Sequence, residues 1–382
     1  MPDDEKREYR IIIGSKAFFE EQVVKLENRL NEEYEDFFIE NFLELVRLSD
    51  ERKQRGRPFL DEDKAAFMLI KNDNYHGIVE SAHDRLGSLI EELTREDAII
   101  YVHNPTTALQ SYINGLYQRE KIELSYETEK YSIKREPEKF SENMVEINNS
   151  IFGQPEAISE ISKSMWYMTT VSRKKPYVIM LYGGSSLGKS ALVREIAEKF
   201  FDGKFVEKHL SMFKNDTYSY YFFGDRPNRK SLGFDLLERE SNLIFLDELD
   251  KCPEHFYSAF YTLFDNTFFS DATYEVDISG LLIILTSNFN NTDEMKNYLG
   301  LPIFYRIDKF IHFNNFDEKT IFDITMSEVE AHVKECGGRF TSDKLYRLVS
   351  PSIKATGENA RTIKNKVQDA VENMLFEEVS NT

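Results

Sequence analysis

The sequence predicts an α/β protein. A parallel sheet covered by helices occupies its middle, and a small helical domain its C-terminus. The N-terminal block is mixed α/β or mostly helical. Three observations carry this. From about residue 148 to 315, apolar runs of strand length alternate with segments of helical period. From Asp317 onward the pattern is helical throughout. Within the first of these regions "YVIMLYGGSSLGKSALVREIA" runs from a strand through a glycine turn into an amphipathic helix.

Residues 1–130 form the first block. Its two strand-like runs are "YRIII" (9–13) and "AIIYV" (98–102). Between them "FFEEQVVKLENRLNEEYEDFFIENFLELVRL" repeats apolar residues at three- and four-residue steps, as helices do. Residues 126–150 are charged, weakly periodic and carry Pro137, so a linker is expected at 131–147. A large domain is expected at 148–315 and a small helical one at 316–382. The first block reads as a domain that recognises a partner or substrate.

Composition narrows the function classes. The chain has 382 residues, enough for two or three domains with their own cores. Its formal net charge of −19 repels nucleic acid and anionic membrane, which disfavours a nucleic-acid partner. No apolar run has bilayer length, so no membrane role is expected. Cys252 and Cys336 stand apart, without metal-ligand spacing, as in a reducing compartment. The start of the chain is charged and lacks a signal-peptide core. These features place the protein in the cytoplasm.

The loop Gly183, Gly184, Ser185, Ser186, Leu187, Gly188, Lys189, Ser190 fits G-x-x-x-x-G-K-[ST]. Glycines let backbone N–H groups converge on a phosphate with no side chain in the way. The following helix points its positive end at the anion. Lys189 would reach the β/γ oxygens of a nucleotide and Ser190 would bind Mg²⁺. ATP and Mg²⁺ are the expected cofactors. "SNLIFLDELDK" then gives a buried strand ending in Asp247 and Glu248, at the end where open α/β sheets bind ligands. Asp247 suits the metal, and Glu248 suits a general base for water. "GLLIILTSN" is another buried strand, whose Asn288 could orient that water. Residue pattern alone leaves Arg306 and Arg361 either as solvated surface residues or as contacts to a γ-phosphate.

Taken in order, "IFGQPEAI", "GGSSLGKS", "LIFLDELDK", "LLIILTSN", "FYRIDKFIHF" and "GENARTIKNKV" resemble the AAA+ module of Clp-type unfoldases, especially the C-terminal ring of double-ring members. The resemblance covers residues 148–382 and leaves 1–130 unassigned. It implies that residues 183–190 are Walker A, and that Asp247 and Glu248 are Walker B. It implies that Asn288 is sensor 1, Arg306 an arginine finger serving the neighbouring subunit, and Arg361 sensor 2. Ile151 and Phe152 would line the adenine pocket. The resemblance further implies that an intact site needs two chains and that the active species is a ring of identical subunits, a hexamer.

One departure matters. Where such unfoldases carry an aromatic gripping loop, this chain has "FFGDRPNRKSLGFDLLERE", with Arg226, Arg229 and Lys230 around Pro227 and Asn228. Three functions therefore compete. The first is a ring ATPase remodelling or unfolding a protein recruited by the N-terminal domain. The second is a nucleotide-dependent assembly switch controlling a partner effector, as in stress or anti-phage defence, without threading. The third and least favoured is a nucleic-acid motor or loader.

Overall fold

In the computed structural model, residues 6–131, 133, 136–215 and 218–380 are described. The chain divides into two compact units. The first comprises Met1–Ser132 with Lys214–Asn242 and His255–Ser279. The second comprises Ile133–Phe213, Leu243–Glu254 and Gly280–Thr382.

The first unit begins with β1 (Arg7–Ile13), α1 (Lys16–Glu33), β2 (Ile39–Asn41) and α2 (Phe42–Gln54). Then come β3 (Ala65–Ile70), α3 (Glu80–His83), α4 (Leu86–Leu93), β4 (Thr94–His103), α5 (Thr107–Gln118) and β5 (Ile122–Thr128). The five strands form one sheet in the order β2-β3-β4-β1-β5, with every pair parallel. Both faces are covered, which is why Ile11, Ile100 and Val102 on one face and Ile12 and Tyr101 on the other are all buried, where a half-solvated sheet would expose one of those sets. The expected strands at 9–13 and 98–102 lie within β1 and β4; β2 and β5 lack so strong an apolar signal, whereas β3, "AAFMLI", is an apolar run that sequence reasoning did not single out. Helix α1 starts where the Ser15 side chain accepts the N–H of Phe18.

The second unit begins with α6 (Pro137–Ser150) and α7 (Pro155–Thr170), then β6 (Tyr177–Tyr182), α8 (Lys189–Phe201) and β7 (Val206–His209). The expected linker at 131–147 thus contains most of α6. Pro137 sits in its first turn, where a missing N–H costs nothing, and Phe140, Met144 and Ile147 bury one stripe.

The chain then returns to the first unit for α9 (Ser219–Phe223) and α10 (Leu232–Leu237). Strand β8 (Leu243–Asp247) belongs to the second unit, and α11 (Tyr257–Asp265), β9 (Phe268–Ser270) and β10 (Glu275–Asp277) to the first. Within the first unit, Asp271 accepts the Ser231 hydroxyl at 2.5 Å and the Gly233 N–H at 3.1 Å, pinning the start of α10. Phe222 packs on Phe256 and Phe260, so the aromatic run around it is core. These returning segments were expected in the large domain.

The remainder is β11 (Leu282–Thr286), α12 (Thr292–Phe304, interrupted at Gly300), β12 (Lys309–His312), α13 (Glu318–Glu335), α14 (Ser342–Val349) and α15 (Ala360–Ser380). The sheet runs β12-β6-β11-β8-β7, all parallel. Val178–Leu181, Leu243–Leu246 and Leu282–Leu285 are buried throughout. Each such side chain contributes about 1.5–3 kcal/mol, so the three central strands form a rigid platform. Helices α13, α14 and α15 pack on one another as the small helical part. Among the described residues, no helix is long and apolar enough to cross a membrane.

Candidate functional site

The site lies in the second unit, at the C-terminal ends of β6, β8 and β11. Parallel pairing sets it: Thr286 of β11 stands beside Leu181 of β6, and Leu285 beside Leu246 of β8. All three strands therefore deliver their next residues to one edge.

After β6 the chain turns through Gly183 at φ +134°, Ser186 at φ +58° and Gly188 at φ +101°. Gly183 has a packing reason too. A Cβ there would lie 2.4 Å from the backbone oxygen of Phe313, an impossible distance. Gly188 caps α8 from the left-handed region, and the helix then buries Leu192, Val193, Ile196 and Ala197. Its amino end is thereby fixed at the sheet edge, where its unpaired N–H groups favour an anion.

Lys189 is buried, and its ammonium donates to Gly183 O at 2.8 Å, Gly184 O at 2.6 Å and Asn288 Oδ1 at 3.4 Å. Burial lowers its pKa to about 8, against the opposing pull of the Asp250 and Asp247 carboxylates. Ser190 Oγ donates to Asp247 Oδ1 at 3.3 Å, and the Thr286 hydroxyl also donates to that oxygen. His209 Nδ1 lies 3.3 Å from the other oxygen of Asp247. A hydroxyl beside an anchored carboxylate is a hard-oxygen pair suited to Mg²⁺. Glu248 adopts φ +61°, and its N–H donates to Thr286 Oγ1 at 3.0 Å. That left-handed residue costs backbone energy, which the Thr286 bond helps to hold, and it is stored where chemistry is expected. Asp250 receives both the backbone N–H (3.3 Å) and the side-chain amide (3.4 Å) of Asn288.

Most of the residues singled out from sequence therefore converge: 183–190, Asp247, Glu248 and Asn288. Ile151 and Phe152 border an open cleft with Gly153, Asn314, Asp317 and Thr320. Ile151 Cγ2 would lie 3.6 Å from a Cβ on Gly188, so this cleft adjoins the phosphate loop. Arg361 is exposed in the first turn of α15, and the neighbouring Ala360 N–H donates to Ser186 O at 3.1 Å. Arg306 stands elsewhere. It precedes β12, whose Lys309 pairs with Ile179 early in β6, so it lies toward the edge where the strands begin. Its Nη1 donates to Pro302 O at 2.6 Å. Within one chain it does not join the loop.

Sequence reasoning missed four supports. Thr286 and Asp250 hold the acids and the amide in place, and His209 flanks Asp247. Gln154 is buried and bridges Leu187 O (3.3 Å) and Asn314 O (2.9 Å), tying the loop to the segment that follows β12. Only Asp250 left a signal, as the third carboxylate of "DELD".

A family model described as AAA domain (Cdc48 subfamily) matches residues 174–381. No curated protein matches the sequence. Among solved structures, a closed-state cryoEM reconstruction of Hsp104 with ATPγS and FITC casein is similar at TM-score 0.54 and 12% identity. It covers 98% of this chain and 89% of that one. At that identity the likeness concerns the fold.

Proposed function

Because the chain belongs to the AAA domain family (Cdc48 subfamily) and is an ATPase, we propose that it works as a cytoplasmic ring, a hexamer, that remodels or unfolds a protein partner recruited through its N-terminal unit. One observation carries the reading: the loop closed around Lys189 stands at one sheet edge with Asp247, Glu248 and Asn288. Lys189 binds the β/γ phosphate oxygens once it exchanges its carbonyl partners for them. Ser190 and Asp247 would hold Mg²⁺, and a bound Mg²⁺ would neutralise phosphate charge. Glu248 takes a proton from the attacking water, and Asn288, oriented by Asp250, positions that water. Ile151 and Phe152 receive the base, and Arg361 meets the phosphates of its own subunit. Arg306, far from its own loop, serves a neighbour's. That arrangement needs at least two chains. Hsp104 was reconstructed with casein, and a polypeptide is the object proposed here.

The test uses Glu248→Gln, which should bind ATP, assemble and barely turn over, while Lys189→Ala should not bind. Light scattering that gives one monomeric mass for Glu248→Gln with and without saturating ATP rules out the ring.

A second reading, an assembly switch acting on an effector, is favoured by the loop at 225–230. Lys230 lies 3.8 Å from Asp73 and over the Phe234 ring, and Arg229 contacts Asp225 and the Tyr220 ring. These exposed pairs are weak singly. The loop is nevertheless engaged inside its own unit, which suits holding more than gripping. Replacing Arg226, Arg229 and Lys230 with Ala together separates the readings. Lost partner remodelling with ATPase intact supports the motor, and unchanged activity supports the switch.

A further inference from the structure

The two sheets share one plan. Reading β1, β2, β3, β4, β5 against β6, β7, β8, β11, β12, the strand orders are identical and every pair is parallel. The agreement reaches single hydrogen bonds. Asn104 N–H donates to Ile12 O as Ser287 N–H donates to Leu181 O. Glu129 N–H donates to Ile13 O as Phe313 N–H donates to Tyr182 O. Gly14, at φ +151°, follows β1 as Gly183 follows β6, and a Cβ on Gly14 would collide with Glu129 Cβ at 2.6 Å. Gly14 and Glu129 thus repeat the close approach of Gly183 and Phe313.

At matching places the chemistry differs. Only Gly14 and Ser15 separate β1 from α1, too few residues to wrap a phosphate. Ile70 pairs with Val102 as Leu246 pairs with Leu285, so Lys71 and Asn72 stand where Asp247 and Glu248 stand. The anion positions are filled from within. Glu129 Oε2 accepts the Ser15 N–H at 2.7 Å, at the start of α1, and the Tyr131 hydroxyl at 2.6 Å. Glu238, from Lys214–Asn242 of the same unit, accepts the Asn72 amide at 2.8 Å and the Asn104 amide at 3.2 Å. His103 Nδ1 lies 3.8 Å from it. Asn72, His103 and Asn104 are all buried, so these amides have little access to water instead.

We propose that the N-terminal unit is a second copy of the nucleotide-binding plan whose phosphate edge has become a socket for the chain's own carboxylates. Glu129 stoppers the helix end, and Glu238 locks the segment that leads in sequence to β8. The chain accordingly takes one nucleotide, at Lys189. The stoichiometry rests on the ATPase reading above; the socket does not.

The experiment titrates the full chain with ATPγS and Mg²⁺ by calorimetry and follows hydrogen exchange in Glu238→Ala and Glu238→Gln. One nucleotide per chain, lost in Lys189→Ala, is expected. Two per chain, or one retained by Lys189→Ala, overturns the proposal. No binding by the unaltered chain would sink the ATPase reading and leave the exchange arm to decide the socket. There, Glu238→Ala should exchange about tenfold to a hundredfold faster across residues 219–237, with α8 unchanged, since two charge-assisted bonds are lost. Glu238→Gln keeps an acceptor and should fall between. Unchanged exchange in Glu238→Ala overturns the socket.

Discussion

Binding of nucleotide should draw a proton onto Lys189. Burial sets the ammonium's pKa at about 8 in the free site, where its partners are two backbone carbonyls and an amide oxygen. A triphosphate there supplies several negative charges and returns the pKa to the ordinary lysine range of about 10.4 or above. At pH 7 about a tenth of the free lysines lack the proton, at pH 8 about half and at pH 9 about nine-tenths. Uptake on binding should follow those fractions. The bound state carries more protons, so rising pH disfavours it, and affinity should fall about tenfold from pH 7 to pH 9. Calorimetry in buffers of different ionisation enthalpy reads the proton number directly. For folding the sign is consistent. The depressed folded-state pKa opposes stability fully below about pH 8, and the penalty is relieved as pH rises toward the unfolded value. Lys189→Arg, which keeps its charge at these pH values, should bind without uptake wherever it still binds. Zero uptake by the unaltered chain at pH 8 and 9, with binding intact, refutes the assignment of a desolvated lysine.

Other consequences can be measured separately. Gly183→Ala should retain helix content by circular dichroism yet lose nucleotide binding, because its Cβ would meet Phe313 O at 2.4 Å and force the loop aside; unchanged affinity would contradict the cradle. Arg306→Ala should bind ATP normally and hydrolyse it about 10³- to 10⁵-fold more slowly, and ordinary turnover would remove the neighbour-serving role. Asp250→Asn should leave affinity within about threefold and lower kcat about tenfold, because it weakens the two bonds that orient Asn288 at a cost of about 1–2 kcal/mol. A changed KM with kcat intact would place Asp250 in binding.

The legible parts of this fold are those whose signals are local. Val178–Leu181 and Leu282–Leu285 are apolar without interruption because both faces of their sheet are covered, and such runs stand out in one dimension. The phosphate loop is legible because its glycines and Lys189 are needed within eight consecutive residues. Other features depend on pairing across long separations. Asn104 and Glu238 meet across 134 positions, and nothing in "LLERE" announces that its first glutamate faces a buried amide. The same holds for the allegiance of Lys214–Asn242 and His255–Ser279, which flank β8 in sequence yet pack in the first unit. Helix α6 was hidden by its charge, since three buried apolar residues in a helix of 14 leave a polar composition that resembles a connector. Gln154 was hidden for a related reason: one amide bridging two carbonyls has no sequence pattern.

Helix α15 starts with a backbone bond from Ala360 to Ser186 of the phosphate loop and continues for 21 residues. At 1.5 Å per residue that is about 31 Å of stiff rod hinged at the loop. A tilt of about 10° at the hinge carries the far end through about 5 Å, so a displacement the size of one hydrogen bond becomes one the size of a side chain. Because Ile363, Val367 and Val371 seat the helix on α13 and α14, the three helices would swing as one lever, with its short arm at the loop and its long arm toward the C-terminal end.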